Sequence, residues 1–239
     1  MISFVIPTLN EAKTIESTLK SLAQYSGEHE IVVSDGNSHD GTIELCHQYA
    51  DHVIVYDEPA RQTIAMARNM GAAAAKGDYL VFLDADVVIP DIDAFFATAR
   101  EVFRKRPGLV AITVNYRVFP ELATLADRYV FTMLGLQFFL QNNVFRIGAA
   151  GGEFQMITGE AFWKVGGFDE RLAAAEDMDL FRRLSRIGRT RFVNDITVFH
   201  TGRRAHEVGW PRLLWSWFAN SATVFLFRKS VSKVWKEVR

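Results

Sequence analysis

The sequence predicts an α/β fold built on a mainly parallel sheet flanked by helices, and three observations carry that prediction. Short β-branched runs alternate with helix-like segments through the first half of the 239-residue chain, the order expected when helices form the crossovers of a sheet. These runs are apolar nearly throughout, as strands covered on both faces are. Three of the first four end in aspartate, Asp35, Asp57 and Asp84, and ligands of open α/β sheets bind in the crevice beyond the carboxyl ends of the strands.

ISFVIP (2–7), EIVVSD (30–35), HVIVYD (52–57) and DYLVFLD (78–84) are the expected strands. Between them, segments 11–25, 41–50 and 61–76 place apolar residues at helical spacing. Beyond Pro90 the pattern predicts a helix over 92–103, a longer strand over 108–119 and amphipathic helical material over 121–145. A strand over 153–159, a helix over 173–188 closed by Gly188 and a last strand over 190–200 complete the alternation. With no internal repeat or linker, the expected partition is one catalytic domain, 1–205, and a C-terminal amphipathic helical extension, 206–239.

The composition, 49% hydrophobic, fills a sizeable core, and a net charge of -1 argues against nucleic acid as a partner. The charge is unevenly spread. Residues 182–239 carry thirteen Lys/Arg against three Asp/Glu, a balance of +10 that leaves about -11 on the rest. Cys46 is the single cysteine, which excludes an intramolecular disulfide and a multi-cysteine zinc site and fits a reducing compartment. It reads as a small buried hydrophobe. The N-terminal MISFVIPTLNEAK lacks a basic leader region, so a cytoplasmic location is expected. Segment 213–227 is 15 residues long and 129–145 is interrupted by Gln137, Gln141, Asn142 and Asn143, and a span needs about 20 apolar residues. Trp210, Leu213, Leu214, Trp215, Trp217 and Phe218, with Arg212, Arg228 and Lys229, instead read as an amphipathic helix that rests on the anionic inner face of a membrane, closes the core or joins a second subunit.

Asp84 and Asp86 flank the small Ala85, and on extended backbone residues two apart face the same way. Two adjacent anions need a partner, for which a divalent cation carrying substrate phosphates is suited. Asp35 precedes GNSHDGT, in which Asp40 reads as the cap of a helix starting near Thr42, while Asp35 is placed to accept hydrogen bonds from a planar ligand. Pro7, Thr8, Asn10 and Glu11 follow the first strand, either as a helix start capped by Thr8 or Asn10 or as part of a ligand pocket.

VIPTLNEAKTI, IVVSDGNSHDGT, ARNMGAAAAKGDYLVFLDAD, ITGEAFWKVGGFDE and EDMDLFRRLSRIG, in this order and spacing, resemble the inverting family 2 glycosyltransferases of GT-A fold over roughly residues 1–200. The resemblance implies that Pro7, Thr8 and Glu11 border a nucleotide pocket, that Asp35 reads the base and that Asp84 lies near the ribose. It implies that Asp86 binds the metal, Mn²⁺ or Mg²⁺, with His200 added from the last strand and His206 as its competitor. Arg68 would support the nucleotide side, and Asp177, with Glu176 beside it, would stand at the position of the catalytic base. Glu176, Asp177 and Asp179 also suit the start of a helix. Arg203 and Arg204 either balance phosphate charge or form a solvated loop. Gly151, Gly152 and Trp163 lie where similar enzymes hold acceptors.

The function these features imply is a metal-dependent transfer of sugar from a nucleoside-diphosphate donor, UDP first and GDP second, to a hydroxyl or phosphate of a glycan, lipid-linked or small-molecule acceptor. The aromatic residues Tyr129, Phe131, Phe138, Phe139 and Phe145 read as helix packing or as a surface for a lipid-linked acceptor. A non-catalytic sugar-nucleotide-binding protein or membrane scaffold stays open as an alternative. A sugar-nucleotide pyrophosphorylase fits less well, because PTLNEAKT (7–14) has no glycine for a phosphate loop.

Overall fold

The apolar runs become seven strands: β1 (Ile2–Thr8), β2 (His29–Asp35), β3 (His52–Val55), β4 (Tyr79–Leu83), β5 (Leu109–Val118), β6 (Phe154–Thr158) and β7 (Arg189–His200). In the computed structural model, which describes residues 1–227 and 229–231, they form one sheet in the order β3-β2-β1-β4-β6-β5-β7. The first four are mutually parallel, β6 runs antiparallel between β4 and β5, and β7 is parallel to β5. From β1 the chain winds outward through β2 and β3, then returns to place β4 on the other side. That reversal opens a crevice at the carboxyl ends of β1 and β4.

Both faces of the sheet are covered, as the unbroken apolar runs require. Alternate residues point to opposite faces. Ile2, Phe4 and Ile6 join one core cluster with Val81 and Leu83, while Val5 joins the other with Leu80 and Phe82. The helices are α1 (Ile15–Leu22), α2 (Thr42–Cys46), α3 (Ile64–Ala74), α4 (Ile92–Arg104), α5 (Leu125–Phe139), α6 (Gly159–Lys164), α7 (Glu176–Leu184), α8 (Arg203–Val208) and α9 (Trp210–Phe227), with a π-helical segment, Leu140–Val144, continuing α5. Cys46 is buried on α2, and burial pushes its thiol up to about 12.

Two helix starts differ from expectation. Helix α1 begins at Ile15, because Asn10 adopts a left-handed φ of 52° and a turn intervenes. Neither Thr8 nor Asn10 caps it: the Thr8 hydroxyl donates to Asp35 at 2.7 Å, and Asn10 Oδ1 accepts from the His39 amide at 2.8 Å. Helix α7 starts at Glu176, later than the 173–188 pattern implied, because Ala175 turns the chain at φ 61°. Asp57 lies beyond β3 and is exposed.

A break in register between β5 and β7, from Val114↔Val193 to Asn115↔Thr197, shifts the end of β7 relative to its neighbour. Phe199 then exchanges backbone hydrogen bonds of 2.8 and 3.0 Å with Val88, which brings His200 to the segment carrying Asp86. Helix α9 buries Leu213, Asn220 and Val224 and leaves Trp215 and Phe218 exposed at 69% and 66%. Among the described residues no helix is long and apolar enough to cross a membrane. Arg228, expected in the basic margin of α9, lies outside the described residues.

Candidate active site

Arg68 is the centre of the site. It projects from the buried face of α3, whose approach to the sheet depends on Gly71: a Cβ there would lie 2.5 Å from Val5 Cγ1. Fully buried, Arg68 pairs through Nη2 with Asp84 at 3.0 Å and through Nη1 with Glu176 at 3.0 Å and Asp177 at 2.5 Å. Its Nη2 also donates to the Gly152 carbonyl at 3.2 Å, and its guanidinium lies 5.3 Å from the Phe168 ring centre. One cation thus gathers carboxylates from the end of β4 and the start of α7. Removing one member of such a buried network leaves uncompensated charge.

Asp177 is fixed by two donors on the same oxygen. Arg68 Nη1 and Gln155 Nε2 both reach Oδ1 at 2.5 Å, and among the described residues no hydrogen bond falls on Oδ2. Burial raises the Asp177 pKa, and Asp84 adds to the rise, while Arg68 and Gln155 oppose it. Glu176 is raised by burial and by Asp177 against the pull of Arg68. Glu153, half-buried beside them, is pushed up to about 8 by burial and then by Asp84 and Asp177. The glycines make room for this crowd. A Cβ on Gly152 would fall 2.8 Å from Arg68 Nη2 and 3.4 Å from Asp177 Oδ2, and one on Gly151 would fall 2.8 Å from Glu153 Oε2.

Asp86 and His200 meet on the neighbouring side. The hydrogen bonds to Asp86, from the Thr201 amide at 3.4 Å and from the Thr201 hydroxyl, fall on Oδ2, and Arg203 Nε stands 3.7 Å away. His200 is 7% exposed and its Nε2 is buried without a partner. Burial lowers its pKa despite Asp86, Asp84 and Asp127 nearby, which keeps the imidazole neutral, the form that ligates metals. Among the described residues no group of three or more His, Cys, Asp or Glu side chains is placed to hold an ion by itself. The His200 Nδ1 lies 3.3 Å from the Gly202 amide, and with the ring proton moved to Nδ1 the buried Nε2 can join the Asp86 carboxylate on a divalent cation whose remaining ligands come from a substrate diphosphate.

A cavity of about 320 Å³ adjoins Asp86, lined by Asn10, Glu11, Lys13, His39, Asp40 and Arg203. Glu11 and Arg203 form a 2.6 Å ion pair across it. Thr8 and Asp35 stand behind this wall. Asp35 is wholly buried, accepting the Ser38 amide and hydroxyl and the Thr8 hydroxyl at 2.7 Å each, so it braces the two loops and does not line the cavity. Pro7, at the end of β1, is partly buried next to Thr8.

The structure therefore brings together Arg68, Asp84, Gly151, Gly152, Glu176 and Asp177, and beside them Asp86 and His200. Arg68 and Asp84, expected on the nucleotide side, are ion-paired to each other and join Glu176 and Asp177 through Arg68. Trp163 lies outside this cluster, and Asp35 outside the cavity. Strand β6 runs away from the cluster, pairing Phe154 with Leu83 and Thr158 with Tyr79, so α6 starts at the far end of β4. Trp163 is 50% exposed there, packed edge-on against Phe162 at 5.0 Å. His206 pairs with Asp127 at 2.8 Å. Sequence reasoning gave Glu153 no role of its own, although it lies in the stretch GGEF, 151–154, where similar enzymes hold acceptors, and it missed Gln155 just beyond. It also missed Lys13 and His39, each on a loop following a strand that it had identified.

The profile described as Glycosyl transferase family 2 matches residues 3–159. The succinoglycan biosynthesis protein ExoA of Rhizobium meliloti is 31% identical over 232 residues, covering 90% of this chain and 66% of that protein. The poly-beta-1,6-N-acetyl-D-glucosamine synthase of Staphylococcus epidermidis is 35% identical over 49% of this chain, which spans 29% of that protein. Among solved structures, mannosyltransferase PcManGT from Pyrobaculum calidifontis in complex with GDP-Man and Mn²⁺ has the same fold, with a TM-score of 0.67 at 22% identity, covering 84% of this chain and 56% of that one.

Proposed function

The chain belongs to glycosyl transferase family 2, and from that premise we propose that it moves a sugar from a nucleoside-diphosphate donor to an acceptor hydroxyl, inverting the anomeric centre. The observation that carries this reading is the Asp177 carboxylate, anchored through Oδ1 by Arg68 and Gln155 with Oδ2 left to take a proton. A general base must be held within reach of the proton it removes, and a raised pKa suits it to work near neutrality.

Asp177 Oδ2 accepts the proton of the acceptor hydroxyl as that oxygen bonds to the anomeric carbon. The bond from that carbon to the donor's phosphate oxygen breaks, and its electron pair leaves with the nucleoside diphosphate. Arg203 and Arg204 stand near Asp86 and Asp84 and favour the departing negative charge. Asp86 and His200 would hold Mn²⁺ or Mg²⁺, which when bound supplies charge neutralisation to the diphosphate. The nucleotide, UDP or GDP, would occupy the cavity walled by Glu11, Lys13 and His39. The Mn²⁺ and GDP-Man bound to the Pyrobaculum mannosyltransferase support this donor and metal class.

Asp177→Asn keeps size and polarity while removing the base. It is expected to lower kcat by about 10²–10⁴-fold with thermal-shift binding of the donor retained. Transfer at a near wild-type rate would reject Asp177 as the base.

A further inference from the structure

The sheet carries a second charged concavity at its other end. Arg106 following α4, Arg146 following the π-helical segment, and Arg189 and Arg191 at the start of β7 line one cavity of about 80 Å³. Arg189 and His200 terminate the twelve-residue β7, about 35 Å apart at the usual rise of a strand, so this cavity is separate from the carboxylate cluster.

Its walls are rigid. Asn142, 2% exposed, accepts from the Ala149 amide at 3.1 Å and from the Thr190 hydroxyl at 2.7 Å. Asn143 exchanges two 3.0 Å hydrogen bonds with the Phe192 backbone. These asparagines sit in the π-helical segment Leu140–Val144, a distortion often found at functional sites. Arg146 is held at a left-handed φ of 57°, which is uncommon outside glycine and costs free energy.

None of the four arginines forms an ion pair among the described residues. They therefore repel one another. Burial and then Arg106 lower the Arg191 pKa, and Asp195 compensates only in part. We propose that this cavity binds a phosphoryl group, either as a free phosphate or on a lipid headgroup. A phosphoryl group brings up to two negative charges and three acceptor oxygens, which guanidinium forks engage bidentately. A carboxylate offers half that charge and fewer oxygens. The cavity opens to solvent, and its space admits a group the size of a phosphoryl between the four guanidinium side chains. Val144, Phe145 and Ile147, all exposed beside Arg146, provide an apolar margin on which a lipid-borne source would rest.

The test is calorimetric titration of the full chain in EDTA with inorganic phosphate and, separately, with a short-chain, water-soluble phosphatidic acid. At least one of these is expected to bind, and Arg106→Gln/Arg191→Gln is expected to weaken that binding about tenfold or more, as loss of charged hydrogen bonds does. Lys20→Gln, which removes an exposed cation of α1 outside this cavity, is expected to bind as the wild type does. Binding of inorganic phosphate identifies a free or solute-borne phosphate as sufficient, and binding of the lipid alone identifies a headgroup. Arg146→Gln, at an exposed position, is expected to show the same loss and serves if the double variant does not fold. Failure of both compounds to bind, or binding unchanged by the arginine substitutions, overturns the proposal.

Discussion

At the scale of single residues, the site is a problem of charge. Asp84, Asp86, Glu153, Glu176 and Asp177 face Arg68, Arg203 and Arg204, so acids outnumber bases before any diphosphate arrives. Burial resolves part of this by holding Glu153 protonated up to about pH 8. A carboxyl whose folded pKa is raised favours the native state at low pH, and that contribution is lost as pH climbs from its unfolded value towards the folded one. In EDTA the melting temperature is therefore expected to fall between about pH 5 and 8, and Glu153→Gln to flatten the decline. An unchanged slope in the variant would show that Glu153 ionises normally. Asp177 and Asp86 were legible in the sequence because their motifs name them. The role of Glu153 was not, because its raised pKa arises from burial and then from Asp84 and Asp177, all set by residues more than twenty positions away in sequence.

At the scale of elements, small residues set how closely the functional helices approach the sheet. Gly71 lies one turn beyond Arg68 on α3 and rests on Val5 of β1. Gly71→Ala is expected to destabilise the fold by about 1–3 kcal/mol, as overpacking does, and to lower kcat by displacing Arg68. Denaturation and kinetic assays of one variant check both, and wild-type values for each would contradict the packing account. The alternation of strands and helices was readable from periodicity, since each run is local. The boundaries of α1 and α7 were not, because left-handed turns at Asn10 and Ala175 leave no mark in hydrophobic spacing. The exposure of Trp163 was not readable either: Phe162 packs on Phe82 and Phe168 while Trp163 stays half-exposed, and a six-residue helix does not display which face it buries.

At the scale of the whole molecule, the catalytic crevice adjoins an apolar margin. Trp210 of α9 packs on Phe131 of α5 and donates to Asp127 at 2.8 Å, which also accepts from His206 and sits in the capping box of α5. Burial would raise Asp127, yet these donors hold it at about 2. Around this joint, Leu125 and Tyr129 of α5 and Leu214, Trp215 and Phe218 of α9 are exposed, with Arg128 and Arg212 among them. We propose that this surface meets anionic lipid and that the acceptor is lipid-linked. Co-sedimentation with anionic vesicles is expected to be lost at high salt and reduced by Trp215→Ser/Phe218→Ser. Binding indifferent to both would remove the membrane from the account. The most direct measurement of the central claim is anomalous diffraction at the manganese edge from crystals grown with Mn²⁺ and UDP or GDP. One strong peak is expected between Asp86 and His200, with the diphosphate against it and Asp177 facing the open side. A manganese ion bound away from both residues would contradict the claim.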